Sequence, residues 1–220
     1  MGYTLNFTLV LRQLPRLFDG LLLSLELTAV SVLVGAAIGL ALALLRGRSA
    51  GMRIAITAYV EFIRNTPLLL LVYLVFYAIP SATGLVIDAI PSFVVTLSLY
   101  AGAYMVEVFR AGLDAVPTGL VDAGRALGLA PLQVLRLIRL PATLRIVLPS
   151  LGNTVVSVFK DTSLASVIAV HELMFGAQWI NFNTFRIIEI YLVVTPMYLV
   201  VSYVLLFALR LIERRYSWVH

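Results

Sequence analysis

Cysteine is absent from the 220 residues, which excludes disulfides, thiol catalysis and cysteine metal centres. Histidine occurs twice, at His171 and His220, too sparsely and too far apart to suggest a metal site. Lysine occurs once, as Lys160, between Phe159 and Asp161. A phosphate-cradling loop needs Gly-x4-Gly-Lys followed by Ser or Thr, so the chain carries none and cannot hydrolyse a nucleotide by that route. Charge is scarce as well. Charged residues make up 12% and hydrophobic residues 61% of the chain, against about 25% and about 45–50% in soluble domains. That balance belongs to an integral membrane protein, with one bundle in one domain.

What is present is a series of long apolar runs. A helix of about 20 apolar residues crosses the hydrocarbon core, and five runs reach that length: about 21–45, 54–79, 93–113, 148–170 and 187–211. Residues 1–20 carry Arg12, Arg16 and Asp19 and are expected to lie at the outer surface. A signal peptide is the alternative. The run from Leu21 to Leu45, however, exceeds a signal core of about 7–15 residues and has no clear cleavage site. Within it, Gly35-x3-Gly39, extended by Ala43, offers a small-residue face for close helix packing, although glycine is common in membrane helices anyway. Pro67 should kink or break the second run near Thr66, and Pro196 should kink the fifth.

Arginine placement sets the expected orientation. Segments 46–53, 110–145 and 210–220 hold eleven arginines and three acids, whereas 1–20, 80–91 and 171–189 hold three arginines and four acids. Positive residues accumulate on the cytoplasmic side. Five spans with the N-terminus outside and the C-terminus in the cytoplasm fit this count. The net charge of +5 then reflects topology, not nucleic acid binding.

Some polar groups fall inside the runs. Glu61 and Arg64 share a helix face and can pair; with Asn65 they either snorkel at the inner interface or line a translocation route. Glu107 and Arg110 repeat the spacing and read as a structural pair anchoring the third helix. Lys160-Asp161-Thr162-Ser163 sit in the middle of the fourth run. A charge there costs about 2.5–3.5 kcal/mol, so it should face protein or water. Neighbouring helical residues point about 100° apart, so Lys160 and Asp161 cannot pair on one face. Local unwinding would free backbone groups for a polar substrate; glue between subunits is the alternative. Interleaved Trp179, Phe182 and Phe185 suggest a helix at the outer interface, with His171 a surface or capping residue.

Residues 118–141 organise the chain. They read as two short helices set end to end, forming a rigid knob between the third and fourth runs. Thr118 is the expected N-cap of the first, and Gly128 ends it in the left-handed conformation. Pro131 opens the second. Leu132, Leu135 and Ile138 fall on its apolar face, and Pro141 closes it, because a residue before proline avoids the helical region. An amphipathic linker on the lipid surface is the alternative.

The spacing is Asp122-Ala123-Gly124-x3-Gly128-x9-Ile138-x-Leu140-Pro141. It resembles the EAA loop of the permease subunits of ABC importers, E-A-A-x3-G-x9-I-x-L-P, with Asp122 where Glu is usual and Gly124 where Ala is usual. Glu61-x2-Arg64-x-Thr66-Pro67-Leu68-Leu69, Glu107-Val108-Phe109-Arg110-Ala111-Gly112 and Lys160-Asp161-Thr162-Ser163-Leu164 resemble segments of the polar amino acid branch of these permeases. Together the resemblance covers about residues 59–173. It implies an all-α integral membrane fold, the type I ABC importer permease bundle of five or six helices, here five, with a cytoplasmic EAA coupling loop. It implies a bacterial inner membrane location and a second permease copy, identical or paralogous. A dimer of ATPase subunits using ATP and Mg, and an extracytoplasmic amino-acid-binding protein, would complete the assembly in membrane lipid. The implied cargo is a polar or charged amino acid such as histidine, arginine, lysine, glutamine or glutamate.

Under this reading the chain is a transporter subunit, not an enzyme, with no cofactor or metal of its own. Asp122, Ala123, Gly124, Gly128, Ile138, Leu140 and Pro141 would couple it to the ATPase. Glu61, Arg64, Asn65, Lys160, Asp161, Thr162 and Ser163 would border the cargo's route. An ion-gradient-driven secondary transporter is one alternative; it would need internal repeats, and none is visible. A non-transporting membrane scaffold subunit is the other.

Overall fold

A computed structural model describes residues 5–216, and all regular structure among them is helical. After a single turn at Thr8–Leu11, the elements are α1 (Leu14–Leu45), α2 (Ala50–Asn65), α3 (Leu68–Thr83), α4 (Ala89–Asp114), α5 (Thr118–Ala126), α6 (Pro131–Ile168), α7 (Leu173–Thr184) and α8 (Ile187–Tyr216). Helices α1, α4, α6 and α8 are each long and apolar enough to cross a membrane, while α2 and α3 pass that test only together.

The small-residue face of α1 decides how the bundle closes. A Cβ on Gly35 would lie 2.9 Å from the Ala101 Cβ, and one on Gly39 would lie 2.6 Å from the Met105 Cβ. Ala43 is buried on the same stripe, against Met105 and Phe109. Helices α1 and α4 therefore meet almost backbone to backbone, the contact that small residues permit where lipid supplies no hydrophobic drive. The opposite case is α8, which leaves Leu199, Val200, Tyr203, Val204 and Phe207 exposed, a surface suited to lipid or another subunit.

Proline shapes two helices in different ways. At Thr66–Pro67 the second apolar run breaks, and α2 and α3 are bent by 106°. Thr66 is extended (φ −105°, ψ 130°), as a residue before proline prefers. The Thr66 hydroxyl donates to the Phe62 carbonyl at 2.7 Å, and the Asn65 amide to the Glu61 carbonyl at 2.8 Å. Both bonds reinforce the last turn of α2, and the Ile63 carbonyl, which Pro67 has no N–H to reach, accepts from the Thr66 amide.

Pro141 does not close a helix, contrary to the sequence expectation. Helix α6 runs on from Pro131 to Ile168, beyond the expected span of 148–170 at its start. Residues Leu135–Arg139 form a π-turn, and Leu140 stays helical (φ −64°, ψ −48°). The widened turn holds the Leu137 carbonyl, which the proline ring would otherwise strike. Ahead of that turn Val134 is buried while Leu132 is exposed, because residues two apart on a helix point to opposite sides, so the inward face is not the one expected at Leu132. Nor is α6 unwound at Lys160 and Asp161: it stays α-helical to Asp161, then tightens into a 3-10 helix over Thr162–Ile168.

The start of the chain also differs from expectation. The first spanning helix begins at Leu14, not near residue 21, because Val10, Leu17 and Leu21 are buried against Leu173, Ala177 and Ile190. At this end Glu172 is fully buried. It accepts hydrogen bonds from the Met174 and Phe175 amides at 2.8 Å each, from Ser24 Oγ at 3.3 Å and from Tyr198 Oη at 3.2 Å. One carboxyl thus ties α1, α7 and α8 together. Burial pushes it up to about 7, against the four donors. Arg16 lies over the Trp179 ring at 3.6 Å, and exposed His171 stacks on Phe175 at 4.4 Å.

At the opposite end Glu107 accepts from Arg46 and from Arg110, each at 2.8 Å, and Arg46 also reaches Thr57 Oγ1 at 3.1 Å. This cluster fastens α1, α2 and α4, the structural role expected for Glu107 and Arg110.

Candidate functional site

Two regions carry the residues singled out in the sequence. One is the knob, built by α5 and the first turns of α6. Its N-cap position is Pro117, not Thr118. The helix ends at Ala126 with Leu127 as its C-cap, followed by Gly128 at φ +76°. The Gly128 amide donates to the Arg125 carbonyl at 2.9 Å and the Leu129 amide to the Gly124 carbonyl at 3.2 Å. That pair of bonds is a Schellman motif, and the left-handed residue at its corner favours glycine. The Gln133 side chain then accepts from the Ala130 amide at 2.8 Å, capping α6.

Gly124 and Ile138 hold the two helices together. A Cβ at Gly124 would overlap Ile138 Cδ1. Leu129 and Val134 close the same small core, each 3.6 Å from that position. Arg139 fastens the knob to the bundle through the Leu113 carbonyl at 3.2 Å. On the outward side Asp122 and Ala123 are exposed, as are Leu127 and Leu132, at 81% and 64%. Asp122 meets Arg125 at 3.4 Å, with both side chains mostly exposed. This is a preformed, partly apolar protrusion with an acid at its edge.

The other region is a polar strip across α2, α4 and α6. Val60, Glu61, Arg64, Asn65 and Tyr104 line one recess of about 300 Å³. Tyr104 is shared with a second recess of about 350 Å³, bordered by Tyr100, Asn153, Thr154, Ser157 and Asp161. The Arg64 guanidinium lies 5.1 Å from the Tyr104 ring centre. Tyr100 Oη donates to Tyr104 Oη at 3.2 Å. The strip thus offers a guanidinium, carboxylates at Glu61 and Asp161, two phenols and two amides, all on α2, α4 and α6.

The structure brings Glu61, Arg64, Asn65 and Asp161 onto this strip. The expected pairing of Glu61 with Arg64 does not form, because the guanidinium turns to the Tyr104 ring instead. Lys160, Thr162 and Ser163 do not border either recess. Lys160 is exposed on another side of α6, about 100° round from Asp161. Thr162 Oγ1 donates to the Phe159 carbonyl at 2.7 Å and Ser163 Oγ to the Lys160 carbonyl at 2.8 Å. Both hydroxyls serve the tightening of the helix. Sequence reading missed Tyr100, Tyr104, Asn153 and Ser157. A signal existed: Asn153, Ser157 and Asp161 recur at i, i+4 and i+8, one face of a helix.

Residues 32–218 match the family described as binding-protein-dependent transport system inner membrane component. The chain belongs to that family. Among curated members of the inner membrane component family, it is 37% identical over 203 residues to the L-cystine transport system permease protein TcyB of Bacillus subtilis, covering 91% of this chain and 86% of that one. It is 37% identical over 205 residues to the glutamine transport system permease protein GlnP of Escherichia coli, covering 92% and 93% respectively. Among solved structures it is similar to a chain of an amino acid ABC transporter crystallised with histidines, with a TM-score of 0.89 and 31% identity over 97% of this chain and 100% of that one. The methionine transporter MetNI shares the fold, with a TM-score of 0.80 at 22% identity over 92% of this chain and 97% of that one. The chain is therefore a multi-pass permease subunit of the ABC type, with the all-helical type I fold that its EAA-like spacing implied.

Proposed function

We propose that this permease subunit takes polar or charged amino acids into the cytoplasm as part of an ATP-driven importer. The observation that carries the reading is the polar strip. Glu61, Arg64, Asn65, Asn153 and Ser157 are exposed on spanning helices, and such groups are costly against lipid, so they face a second copy or water. Two copies, identical or paralogous, enclose the route between their strips. An amino acid carries an ammonium and a carboxylate. The strip offers partners for both, with Arg64 and Glu61 in one recess and Asp161 in the other, joined at Tyr104. The cystine and glutamine named for the relatives TcyB and GlnP are cargo of this kind.

The energy comes from a dimer of ATPase subunits that use ATP and Mg; this chain contributes no cofactor. Asp122, Ala123, Gly124, Gly128, Ile138, Leu140 and Pro141 form or brace the knob that sits in a groove of that partner, and rigid-body motion of the knob rocks the bundle between two states. An extracytoplasmic binding protein delivers cargo at the face carrying α7. The arginine count supports an N-terminus outside and a C-terminus in the cytoplasm, in a bacterial inner membrane.

The test is reconstitution with the candidate ATPase and binding protein in lipid vesicles, with a panel of amino acids. Cargo-dependent stimulation of ATP turnover, together with uptake, is the expected result. Uptake that continues without ATP and follows an ion gradient would sink the proposal.

A further inference from the structure

A recess of about 730 Å³ opens between the end of α1, the start of α2, the end of α4 and the inner side of the knob. Arg46, Arg53, Arg110, Arg125 and Arg139 line it, against one acid, Asp114. Leu44, Leu113 and Leu135 supply apolar walls. Arginines at this end follow from orientation alone. Their convergence on one partly apolar recess does not.

The guanidiniums are unequally occupied. Arg46 and Arg110 are held by Glu107 and Asp114. Arg139 donates one nitrogen to the Leu113 carbonyl, which leaves its other donors for a ligand. Arg125 meets Asp122 only at 3.4 Å, in solvent. Arg53 has no ion-pair partner among the described residues. A recess with spare guanidinium forks, an excess of positive charge and apolar walls suits a phosphate attached to an apolar body. Arginine forks match phosphate oxygens, and basic recesses between membrane helices hold anionic headgroups. The recess lies where three spanning helices end, the level at which headgroups sit.

We propose that this recess binds a phosphate group, supplied by an anionic phospholipid of the adjoining leaflet, and so ties the knob to the membrane. The site is separate from the cargo route and from the exposed side of the knob.

The test uses the assembled transporter with its ATPase, studied by native mass spectrometry with added phosphatidylglycerol or phosphatidylcholine. Inorganic phosphate is titrated separately by calorimetry. Phosphatidylglycerol should be retained in preference to phosphatidylcholine. Retention should fall about fivefold in Arg53→Gln and stay unchanged in Arg48→Gln, which removes the same charge from the loop just before α2, outside the recess. Thermal melting of both variants shows that the fold is intact. Phosphate binding that depends on Arg53, without a lipid preference, would assign the recess to a soluble phosphate and overturn the tie to the membrane. Equal losses in the two variants, or no preference for phosphatidylglycerol over zwitterionic phosphatidylcholine, would overturn it as well. So would lipid held by the permease alone but released in the assembled transporter, since the ATPase would then cover the recess. These readouts involve no transport, so their failure is distinct from failure of the importer reading.

Discussion

The knob and the polar strip both expose polar side chains, yet they are built in opposite ways. The knob draws its shape from residues close in sequence: Gly124 against Ile138, Gly128 at the corner, Gln133 capping the next helix. It needs little from the bundle beyond the Arg139 tether. The strip is assembled across α2, α4 and α6, and Tyr104 belongs to both of its recesses. A local element can move as a rigid body without losing its shape. A strip shared among three helices changes shape whenever those helices shift. That contrast suits a handle at one place and a cargo route at the other.

The contrast can be broken most forcefully at the knob. Gly124→Leu should reduce uptake to background while the chain still inserts and the complex still purifies, because the side chain has no room beside Ile138. Uptake assays alongside size-exclusion profiles decide this, and normal uptake would remove the knob from the mechanism. Next comes the strip. Arg64→Ala should raise the cargo concentration needed for half-maximal uptake about ten- to a hundredfold, the loss of a charge-assisted contact worth about 1.5–3 kcal/mol. ATP turnover without cargo should stay unchanged. A knob-like phenotype in Arg64→Ala, with binding intact and coupling lost, would erase the distinction between the regions.

Two smaller effects sharpen it. Gly128→Ala should cost about 1–2 kcal/mol, because an alanine resists the left-handed conformation; thermal melting should report the loss. Gly124→Ala restores the commoner EAA residue yet should lower uptake modestly, because the new methyl meets Ile138 Cδ1. Adding Ile138→Val removes that methyl and should recover uptake. A double variant no better than the single one would show that the two positions do not press on each other.

Legibility in the sequence follows the same division. The knob could be read because its spacing and its Gly128 corner depend on local geometry. Its second half was misread, since Pro141 normally signals an end and no local cue announced the π-turn of Leu135–Arg139 that accommodates it. The polar strip was half legible. Glu61, Arg64 and Asp161 stand out as charges in apolar runs, but Tyr100 and Tyr104 look like ordinary aromatics until α4 is placed between α2 and α6. Lys160 drew notice as the only lysine and turned out to face away from the recesses.

Taken by itself, the sequence determined that this chain is a bundle of long apolar helices suited to a membrane, and where its rigid protrusion lies. Both depend on apolar length or short-range backbone geometry, and these are properties of neighbours along the chain. Tertiary structure alone decided that Arg64 leans on Tyr104 instead of pairing with Glu61, that Glu172 is buried as a tie, and that five arginines border one recess. Those outcomes depend on which helix faces meet, and the close approach of α1 and α4 at Gly35 and Gly39 helps settle that across dozens of intervening residues.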